Sequence, residues 1–407
     1  MNFIDLFLEH TKELESPTSF FKWAAFACVS AVLRDNAHIV MESNRKIYPN
    51  LFVLLVADSA VSRKSVPVSM IHDIVKTIQN TKIIAGRSSI EAILDRLAEA
   101  ETKNGHGMLK GGSCLLCAEE LLSFFVTSDS LVPLLTDMYD FRAEWESRLR
   151  GNTPGGSVFK INNMCVSMLA ASNETHLRQI YTGMAVHGGL LGRTLLIRSD
   201  ENRKGNSLFR ASDDPLLLEL KSNADIIANL KTISSLRGPA FQDKSAAQAY
   251  DDWYLPMKES YIHKPDPSGV IGRIHTTVLK LALILGVSRE YKLVIQKQDI
   301  ERAIDECTSI LKNYEMFILG SGKSTIAEIG SIFLLSLYKG QGHSLTRKEV
   351  MRNHWGEFDA EMLDKIVISL ETGGMLKTFI SNTETKYQMT AECIAIFERK
   401  NGKETVH

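Results

Sequence analysis

Residues 51–65 read LFVLLVADSAVSRKS, an apolar run followed by small and polar residues that end in a Lys-Ser pair. The run 51–56 is too short for a typical helix and predicts a buried β-strand, whereas the stretch 66–78 has helical spacing. In such a strand–loop–helix unit, backbone N–H groups cradle phosphates, a lysine reaches the β- and γ-phosphates and a serine holds Mg²⁺. The stretch therefore predicts a phosphate loop that binds through Ser62, Arg63, Lys64 and Ser65, with Ser65 as the metal ligand.

This loop contains no glycine, and Ala57 and Ala60 stand where glycine is expected. Alanine tolerates positive φ poorly, so the loop either avoids such torsions or is strained. The plainer alternative is a chance Lys-Ser pair in a βα turn. A second Lys-Ser pair, in GSGKST at 320–325, follows a long helical run instead of a strand. We expect that second segment to be a linker between domains.

Short apolar runs recur along the first half of the chain, and helix-like stretches separate them. This alternation predicts a parallel sheet covered by helices. We therefore expect an α/β fold with a five-stranded parallel sheet, its strands at 51–56, 82–85, 114–118, 165–171 and 194–198.

Polar residues follow the third and fourth of these runs and precede the fifth. Glu119 is placed to bind Mg²⁺, and Glu120 to orient or deprotonate an attacking water. Asn173 could position that water, and Arg193 could reach a γ-phosphate on a neighbouring subunit. Each residue also has a plainer explanation: acids at a helix N-terminus, a helix cap and a solvated cation. Their order along the chain favours the nucleotide site.

Residues 146–160 have the pattern of a β-hairpin, with basic residues on both sides of a turn rich in Gly, Pro and Asn. The turn is expected at 151–156. If this hairpin binds a nucleic acid, we expect Arg148, Arg150 and Lys160 to contact the phosphates of its backbone. The alternative is an exposed hairpin with ordinary surface charges.

The chain has 407 residues, 47 Lys and Arg against 48 Asp and Glu, and a formal net charge of −1. This balance excludes a histone-like or basic-tail protein. No apolar run reaches the ~18 residues that span a bilayer, and the start lacks the features of a signal peptide. We therefore expect no membrane partner and a cytoplasmic location. The six cysteines include one pair, Cys114 and Cys117, with no second ligand pair for zinc, so packed and reduced thiols are expected.

The last part of the chain predicts a small unit of its own. Helices are expected at 326–338, 346–353 and 359–372, and a hairpin over 375–389. Three helices and a two-stranded wing are typical of a winged-helix domain. Because helix 359–372 carries four acidic residues and one lysine, it suits phosphates poorly. DNA contact and protein interaction both remain open for this unit.

The order of these motifs resembles the core of AAA+ ATPases, and in detail the replicative-helicase branch that includes minichromosome-maintenance proteins. The segment from Ser16 and Pro17 through Phe20 and Trp23 to YPNLFVLLV at 48–56 is similar to a phage and mobile-element primase–helicase family. Members of that family often carry an Arg-Lys pair in the phosphate loop. The resemblance covers residues 16–315.

The resemblance implies an AAA+ P-loop NTPase core with a helical lid and a C-terminal winged-helix domain. We expect a helical N-terminal segment at 1–50, the core at 51–200, an irregular connection and helical lid at 201–320, and the winged helix at 321–407. Within the range 201–320, helices are expected at 243–262, 270–288 and 297–316. By position, it implies Lys64 and Ser65 as Walker A with Arg63 as its basic variant, Glu119 and Glu120 as Walker B, Asn173 as sensor 1, Arg193 as the arginine finger and Arg273 as sensor 2.

The implied function is an ATP-dependent DNA helicase or translocase, with ATP and Mg²⁺ as cofactors, in the replication of a phage or mobile element. The related proteins place a hairpin before sensor 1 in the pore of a hexameric ring, which implies contact with single- or double-stranded DNA. A separate primase or replication initiator is an implied partner, in the cytoplasm of a bacterial host. The glycine-free loop and Glu119 in place of Asp keep a catalytically degenerate scaffold, helicase loader or origin-binding protein as an alternative. A regulator that uses only the winged helix is a third.

Overall fold

The computed structural model describes residues 2–41, 44–58, 62–86, 88–98, 101–102, 108–109, 111–122, 131–149, 157–180, 189–199, 201, 203, 224–261, 266, 269–321, 325–356, 358–381 and 384–395. The chain divides into two compact units, Met1–Glu315 and Met316–His407. The boundary lies a few residues before the expected start of the last domain at 321, and it falls inside a long helix.

Unit 1 is built from helices and strands that alternate along much of the chain. Its helices in the described residues are α1 (Phe3–His10), α2 (Thr18–Leu33), α3 (Ser65–Lys76), α4 (Ile90–Ala98), α5 (Leu131–Tyr139), α6 (Glu174–Ile180), α7 (Ala224–Ser235), α8 (Lys244–Tyr261), α9 (Ile271–Glu290) and α10 (Lys297–Ser321). Its strands are β1 (Ala37–Val40), β2 (Lys46–Ile47), β3 (Phe52–Val56), β4 (Lys82–Ala85), β5 (Glu101–Thr102), β6 (Met108–Leu109), β7 (Ser113–Ala118), β8 (Arg142–Leu149), β9 (Ser157–Ser172), β10 (Thr194–Arg198), β11 (Gly238–Pro239), β12 (Phe241–Gln242) and β13 (Val294–Ile295).

The main sheet has the strand order β10-β3-β9-β7-β4, and all neighbours on this path are parallel. These five strands are the five apolar runs, so the expected parallel sheet is confirmed. Every residue of β3 and of β7 is buried, which explains why both strands are continuous apolar runs instead of alternating patterns. The strand β8 adds a sixth, antiparallel member beside β9.

The helix α2 belongs to the core of unit 1. Thirteen of its sixteen residues are buried. Its Ser30 hydroxyl is 2.7 Å from the Ser167 hydroxyl on β9 and accepts a hydrogen bond from the Leu51 amide. The helix is therefore fastened to β9 and to the residue before β3, the strand that leads to the predicted phosphate loop.

The strand β9 changes partner along its sixteen residues. Its first half pairs antiparallel with β8, from Leu149 opposite Ser157 to Arg142 opposite Met164. Its second half pairs in parallel with β7 and β3. Asn163, with a φ of 51°, lies one residue before the last of the β8 pairs, and asparagine adopts this left-handed torsion more readily than most residues. The predicted hairpin is thus confirmed; its turn, including Arg150, lies outside the described residues.

The helices α8, α9 and α10 match the three helices expected here. In length and composition α9 could cross a membrane, contrary to the expectation that no apolar run would do so. However, 72% of its apolar window is buried within the protein, as in the core helix of a soluble domain. The helix α10 continues to Ser321, five residues beyond its expected end at 316, and so ends within the segment GSG at 320–322 that was expected to break it. Lys323 lies outside the described residues.

Unit 2 contains three α-helices, a short 3₁₀ helix (Gln341–His343) and a three-stranded antiparallel sheet in its described residues. The elements are α11 (Thr325–Lys339), β14 (Ser344–Thr346), α12 (Arg347–Asn353), α13 (Ala360–Thr372), β15 (Leu376–Ile380) and β16 (Thr385–Met389), with the strand order β14-β16-β15. Phe333, Leu363 and Tyr387 are at the centre of its hydrophobic core. The expected helices and hairpin are confirmed, whereas β14 was not anticipated because it is only three residues long.

Candidate functional site

The carboxyl ends of β3 and β9 lie side by side in the centre of the main sheet. From β3 the chain crosses to β4 at one edge of the sheet, and from β9 it crosses back over β3 to β10 at the other. Since such crossovers are right-handed, the two connections run on opposite faces of the sheet and leave a crevice between the strand ends. In open α/β sheets, ligands bind at this kind of switch point.

The predicted phosphate loop follows β3 and so begins at this switch point. Its described residues are Ala57 and Asp58 at the end of β3 and Ser62 to Ser65 at the start of α3. The ammonium of Lys64 donates a 3.1 Å hydrogen bond to the carbonyl of Ala57, so the side chain folds back across the loop. The first turn of α3 has no acidic residue, which leaves the positive end of the helix dipole without a negative side chain of its own.

Arg63 carries the positive φ that a glycine would normally supply. Its φ is 42°, a torsion that costs a non-glycine residue about 1 kcal/mol. Its Nε lies 2.5 Å from a carboxylate oxygen of Glu15, and its carbonyl accepts a 2.9 Å hydrogen bond from the Ser16 hydroxyl. The segment before α2 thus holds the backbone of Arg63 in place, and the guanidinium points to Glu15.

Glu119 and Glu120 form the turn after β7, as expected. Glu119 is exposed, whereas Glu120 is partly buried. A carboxylate oxygen of Glu120 accepts a 2.9 Å hydrogen bond from Ser172 and lies 3.3 Å from Nδ1 of His176. The turn is also fixed by the Leu121 amide, which donates to the carbonyl of Ala171 at 2.8 Å. The acidic pair is therefore attached to the end of β9.

Asn173 follows β9 and caps α6. Its side-chain oxygen accepts a 2.7 Å hydrogen bond from the His176 amide, and its Nδ2 is 3.0 Å from Nδ1 of His176. The plainer explanation, a helix cap, is thus confirmed for Asn173. The same histidine contacts Glu120, so the structure brings the predicted acid and the predicted amide together. Sequence reasoning missed His176, although its position three residues after a cap was a usable signal.

A cavity of about 380 Å³ lies between α3 and the ends of β4 and β7. Its lining includes Ser69 and His72 from α3, and Glu119 and Glu120 from the turn after β7. Burial raises the pKa of the neighbouring Cys117 to about 12, with a further contribution from Glu119. The described residues contain no group of three or more His, Cys, Asp or Glu side chains arranged to hold a metal. Ser65 and Glu119, the predicted metal ligands, follow strands that flank β9.

Arg193 and Arg273 converge on Gly189. The guanidinium of Arg193 donates to Asp140 at 2.7 Å and to the carbonyl of Gly189 at 3.1 Å, and its side chain is only 11% exposed. A Cβ atom on Gly189 would lie 3.0 Å from Arg193 and 3.7 Å from Arg273. Burial lowers the pKa of Arg273, and the charge of Arg193 lowers it further. Two cations this close attract anions, and the carboxylate of Asp140 is the anion paired with Arg193 in this structure.

The predicted nucleic-acid residues lie on the β8–β9 hairpin. Arg148 is opposite Val158 in the ladder, and its side chain is outside the described residues, as is the whole of Arg150. Lys160 is exposed and lies 3.8 Å from the carboxylate of Glu146, its cross-strand neighbour. Such a surface pair is weak, so Lys160 can exchange this carboxylate for a phosphate at little cost.

No protein-family model matches the chain. No curated protein matches it either. Its function is therefore inferred from the residues and geometry described above.

Proposed function

We propose that this chain is an AAA+-type ATPase that binds ATP and Mg²⁺ in the crevice between β3 and β9 and acts on DNA as a helicase or translocase. One observation carries the proposal: Lys64 follows β3, Glu120 follows β7, and Asn173 follows β9, the strand between them. Phosphoryl transfer to water needs phosphate binding, metal binding and a positioned water. These three functions would meet at one edge of the sheet.

In this proposal the triphosphate replaces the carbonyl of Ala57 as the acceptor for Lys64. A phosphate oxygen is the better partner, because it carries charge and the carbonyl does not. The N-terminus of α3 adds backbone N–H donors and its dipole. Ser65 and Glu119 would hold Mg²⁺ directly or through water, since this ion is usually bound by one or two carboxylates together with phosphates and waters.

Glu120 and Asn173 would position the attacking water. The Ser172 hydroxyl and the His176 ring hold Glu120 from two sides, and a fixed carboxylate needs little reorganisation in the transition state. The side-chain amide of Asn173 is within hydrogen-bond distance of His176, the same histidine. Water placed between Glu120 and the γ-phosphate would then lose its proton to the carboxylate as it attacks.

A ring of subunits, proposed as a hexamer, would complete each site. Arg193 and Arg273 would serve the nucleotide of a neighbouring subunit. Arg273 is in the first turn of α9, where the helix dipole disfavours a cation, and it is partly desolvated beside a second arginine. An incoming phosphate would relieve both costs. The β8–β9 hairpin would carry Arg148, Arg150 and Lys160 to DNA.

The same proposal names unit 1 as a P-loop core with α8 to α10 as its lid, and unit 2 as a winged-helix domain. The order α11-β14-α12-α13-β15-β16 and the hairpin at its end support the second name. The exposed face of α13 carries Glu361, Asp364 and Glu371. That charge favours a protein such as a primase or initiator over DNA as its partner.

A degenerate scaffold or loader without turnover is the second candidate. The phosphate loop supports it, because Arg63 occupies a strained torsion and is held by Glu15, while Lys64 is already bonded to Ala57. Such a protein would bind ATP weakly or without hydrolysis. A regulator that works through unit 2 alone would need neither ATP binding nor ATP hydrolysis.

Titration with a fluorescent ATP analogue, followed by a DNA-stimulated ATPase assay, tests the proposal. We expect Mg²⁺-dependent binding and turnover that rises with added DNA. Glu120→Gln should retain binding and lose turnover, with the exposed Glu91→Gln on α4 as the matched control. Binding without turnover in the native chain would favour the scaffold, and no binding at all would refute a nucleotide site.

A further inference from the structure

An open cleft lies between α8 and α9, far along the chain from the phosphate loop. It has a volume of about 470 Å³, and Tyr250, Tyr254 and His275 form much of its wall. A second cavity of about 360 Å³ shares Tyr254 and His275 with it. These volumes are in the range of small-molecule sites. None of the residues assigned to the ATP site lines either cavity.

The cleft exists because α8 packs against the rest of unit 1 over only part of its length. Of its eighteen residues, Ala246 and Tyr250 are buried. Tyr254, one turn further along the same face, is partly exposed, and Leu255 is 56% exposed. A helix that buries so little of its apolar face leaves aromatic surface accessible to a ligand.

Three aromatic rings lie next to one another in the cleft. Tyr250 and Tyr254 are stacked, with ring centroids 5.5 Å apart and planes 17° apart. The ring of His275 is 5.2 Å from Tyr254. The imidazole is held by Thr276 and by the backbone of Gly272, and it is part of the lining of both cavities. Planar heteroaromatic ligands stack on such surfaces.

Two polar groups in the cleft suit the edge of a base. The Nε2 atom of Gln242 is buried and has no hydrogen-bond partner in the part of the chain that the structure describes. Leaving a buried donor unpaired is unfavourable, so rotation of this side chain into the cleft, where a ligand brings an acceptor, is favourable. The carboxylate of Asp251, also in the lining, can accept from an amino or imino group. Nucleobases present both kinds of group.

Lys258 lines the smaller cavity, together with the carboxylate of Asp266. The ammonium of Lys258 is 5.8 Å from the ring centroid of Tyr254. Burial lowers the pKa of His275, and the charges of Arg45 and Lys258 lower it further, so both cations act on the His275 ring. Asp251 supplies the one opposing charge among the described residues that line the larger cavity.

We propose that the cleft between α8 and α9 binds an unstacked nucleobase, with Tyr254 as the stacking platform, Gln242 as the donor and Lys258 at the phosphate. The base could belong to a free nucleotide or to a single strand of nucleic acid. The site shares no residue with the proposed ATPase site and does not depend on ATP turnover.

Photocrosslinking to the full chain without ATP tests this site. One probe is a short oligonucleotide with a single 5-iodouracil, and the other is 5-iodo-2′-deoxyuridine monophosphate. We expect crosslinks on Tyr254, Tyr250 or His275, located by mass spectrometry of peptides. Tyr254→Ala should lower the crosslink yield about tenfold, in line with the measured value of a base–aromatic stack. Phe379→Ala, which removes an exposed aromatic ring in unit 2, should not.

Gln242→Leu separates loss of ligand binding from loss of folding, because leucine has a similar side-chain volume and removes the unpaired donor. We expect it to retain or raise the melting temperature and to lower the crosslink yield severalfold. Crosslinking by both probes identifies a free nucleotide as a sufficient ligand, and crosslinking by the oligonucleotide alone identifies a strand. Crosslinks only outside the cleft, or yields unchanged in both Tyr254→Ala and Gln242→Leu, would refute the proposal. The Lys64→Ala protein should crosslink normally, so loss of the ATP site is distinguishable.

Discussion

The Ser172 hydroxyl donates a 2.9 Å hydrogen bond to the carboxylate of Glu120 and so joins the ends of two neighbouring strands. Ser172 is fully buried as the last residue of β9, and Glu120 lies just after β7. The bond depends on the parallel register that sets Ala118 opposite Ala170. The carboxylate is therefore oriented by the sheet itself before any ligand binds.

Ser172→Ala should lower ATP turnover about tenfold while leaving nucleotide affinity unchanged. The loss of one neutral donor to a carboxylate should also lower the free energy of unfolding by about 1–2 kcal/mol. Steady-state kinetics with saturating ATP and urea denaturation measure the two effects. The buried Ser288, whose hydroxyl bonds within α9, provides the control Ser288→Ala. Weaker ATP binding with normal kcat would mean that Ser172 stabilises the nucleotide-binding loop and does not help to position the attacking water.

Lys64→Ala should abolish ATP binding with little change in stability. Its one described hydrogen bond, to the carbonyl of Ala57, connects a partly exposed side chain to the loop, and its loss should cost about 1 kcal/mol or less. Lys76→Ala, an exposed lysine at the other end of α3, is the matched control. Fluorescent-analogue titration measures the affinity. Normal binding by Lys64→Ala, together with loss in Lys323→Ala, would place the nucleotide at the other Lys-Ser segment.

Mixing two inactive variants tests whether Arg193 acts between subunits. Lys64→Ala and Arg193→Ala should each lack ATPase activity alone, and the mixed protein should regain part of it. In a mixed ring, some interfaces combine an intact Lys64 with an intact Arg193. A mixture of Lys64→Ala with Glu120→Gln serves as the control, because both changes lie in the same half of the site and no interface is repaired. Activity in neither mixture would argue against Arg193 as a residue in trans.

Lys280→Met should destabilise unit 1 by about 2–3 kcal/mol. The ammonium of Lys280 is buried, donates to the backbone and side-chain oxygens of Asn50 at 2.9 and 3.0 Å, and lies 3.9 Å from the ring centroid of Tyr139. Methionine keeps the volume but leaves both Asn50 oxygens without this donor. Urea denaturation measures the change, against Lys297→Met at an exposed surface pair. Unchanged or higher stability would show that the buried charge costs as much as its bonds contribute.

Alkaline pH should destabilise the chain through its cysteines. All six are free and buried, as the sequence predicted, and burial raises the pKa of Cys114 from 9.0 to about 12. Between those values the unfolded chain releases a thiol proton that the folded chain keeps, so stability falls as pH rises. At pH 9, iodoacetamide should label the native chain slowly and the chain in guanidinium fast. Rapid native labelling at Cys114 or Cys117 would contradict this.

The sequence was sufficient for the parts of the fold that depend on local pattern. Buried parallel strands are short apolar runs, so β3, β7 and β10 could be located to within a residue. The helices of unit 2 were equally clear, because Thr346 and Asp359 are caps with side-chain hydrogen bonds to the next turn. Strands of two or three residues, such as β13 and β14, carry too few side chains to show a period.

The candidate site was predictable in its members but not in its contacts. Lys64, Glu120 and Asn173 could be identified because each follows a strand. The contacts of Arg63 with Glu15 and of Arg193 with Asp140 join residues that are distant in sequence, and no local pattern encodes them. The cleft beside α8 could not be predicted either, because it depends on how much of that helix packs against the rest of unit 1. The contact between His176 and Glu120 depends on the register of neighbouring strands, which no local pattern encodes.

The strand β9 has a mechanical consequence. One uninterrupted chain segment of sixteen residues runs from the base of the hairpin turn to the residue before Asn173, about 50 Å if fully extended. A displacement at its carboxyl end must therefore travel through the left-handed elbow at Asn163 or through the ladders that hold it on both sides. In the proposed translocase, stiffness at Asn163 would set how far the hairpin moves for each ATP hydrolysed. Asn163→Gly, which loosens the elbow without blocking its torsion, would shorten that movement while the chemistry continues.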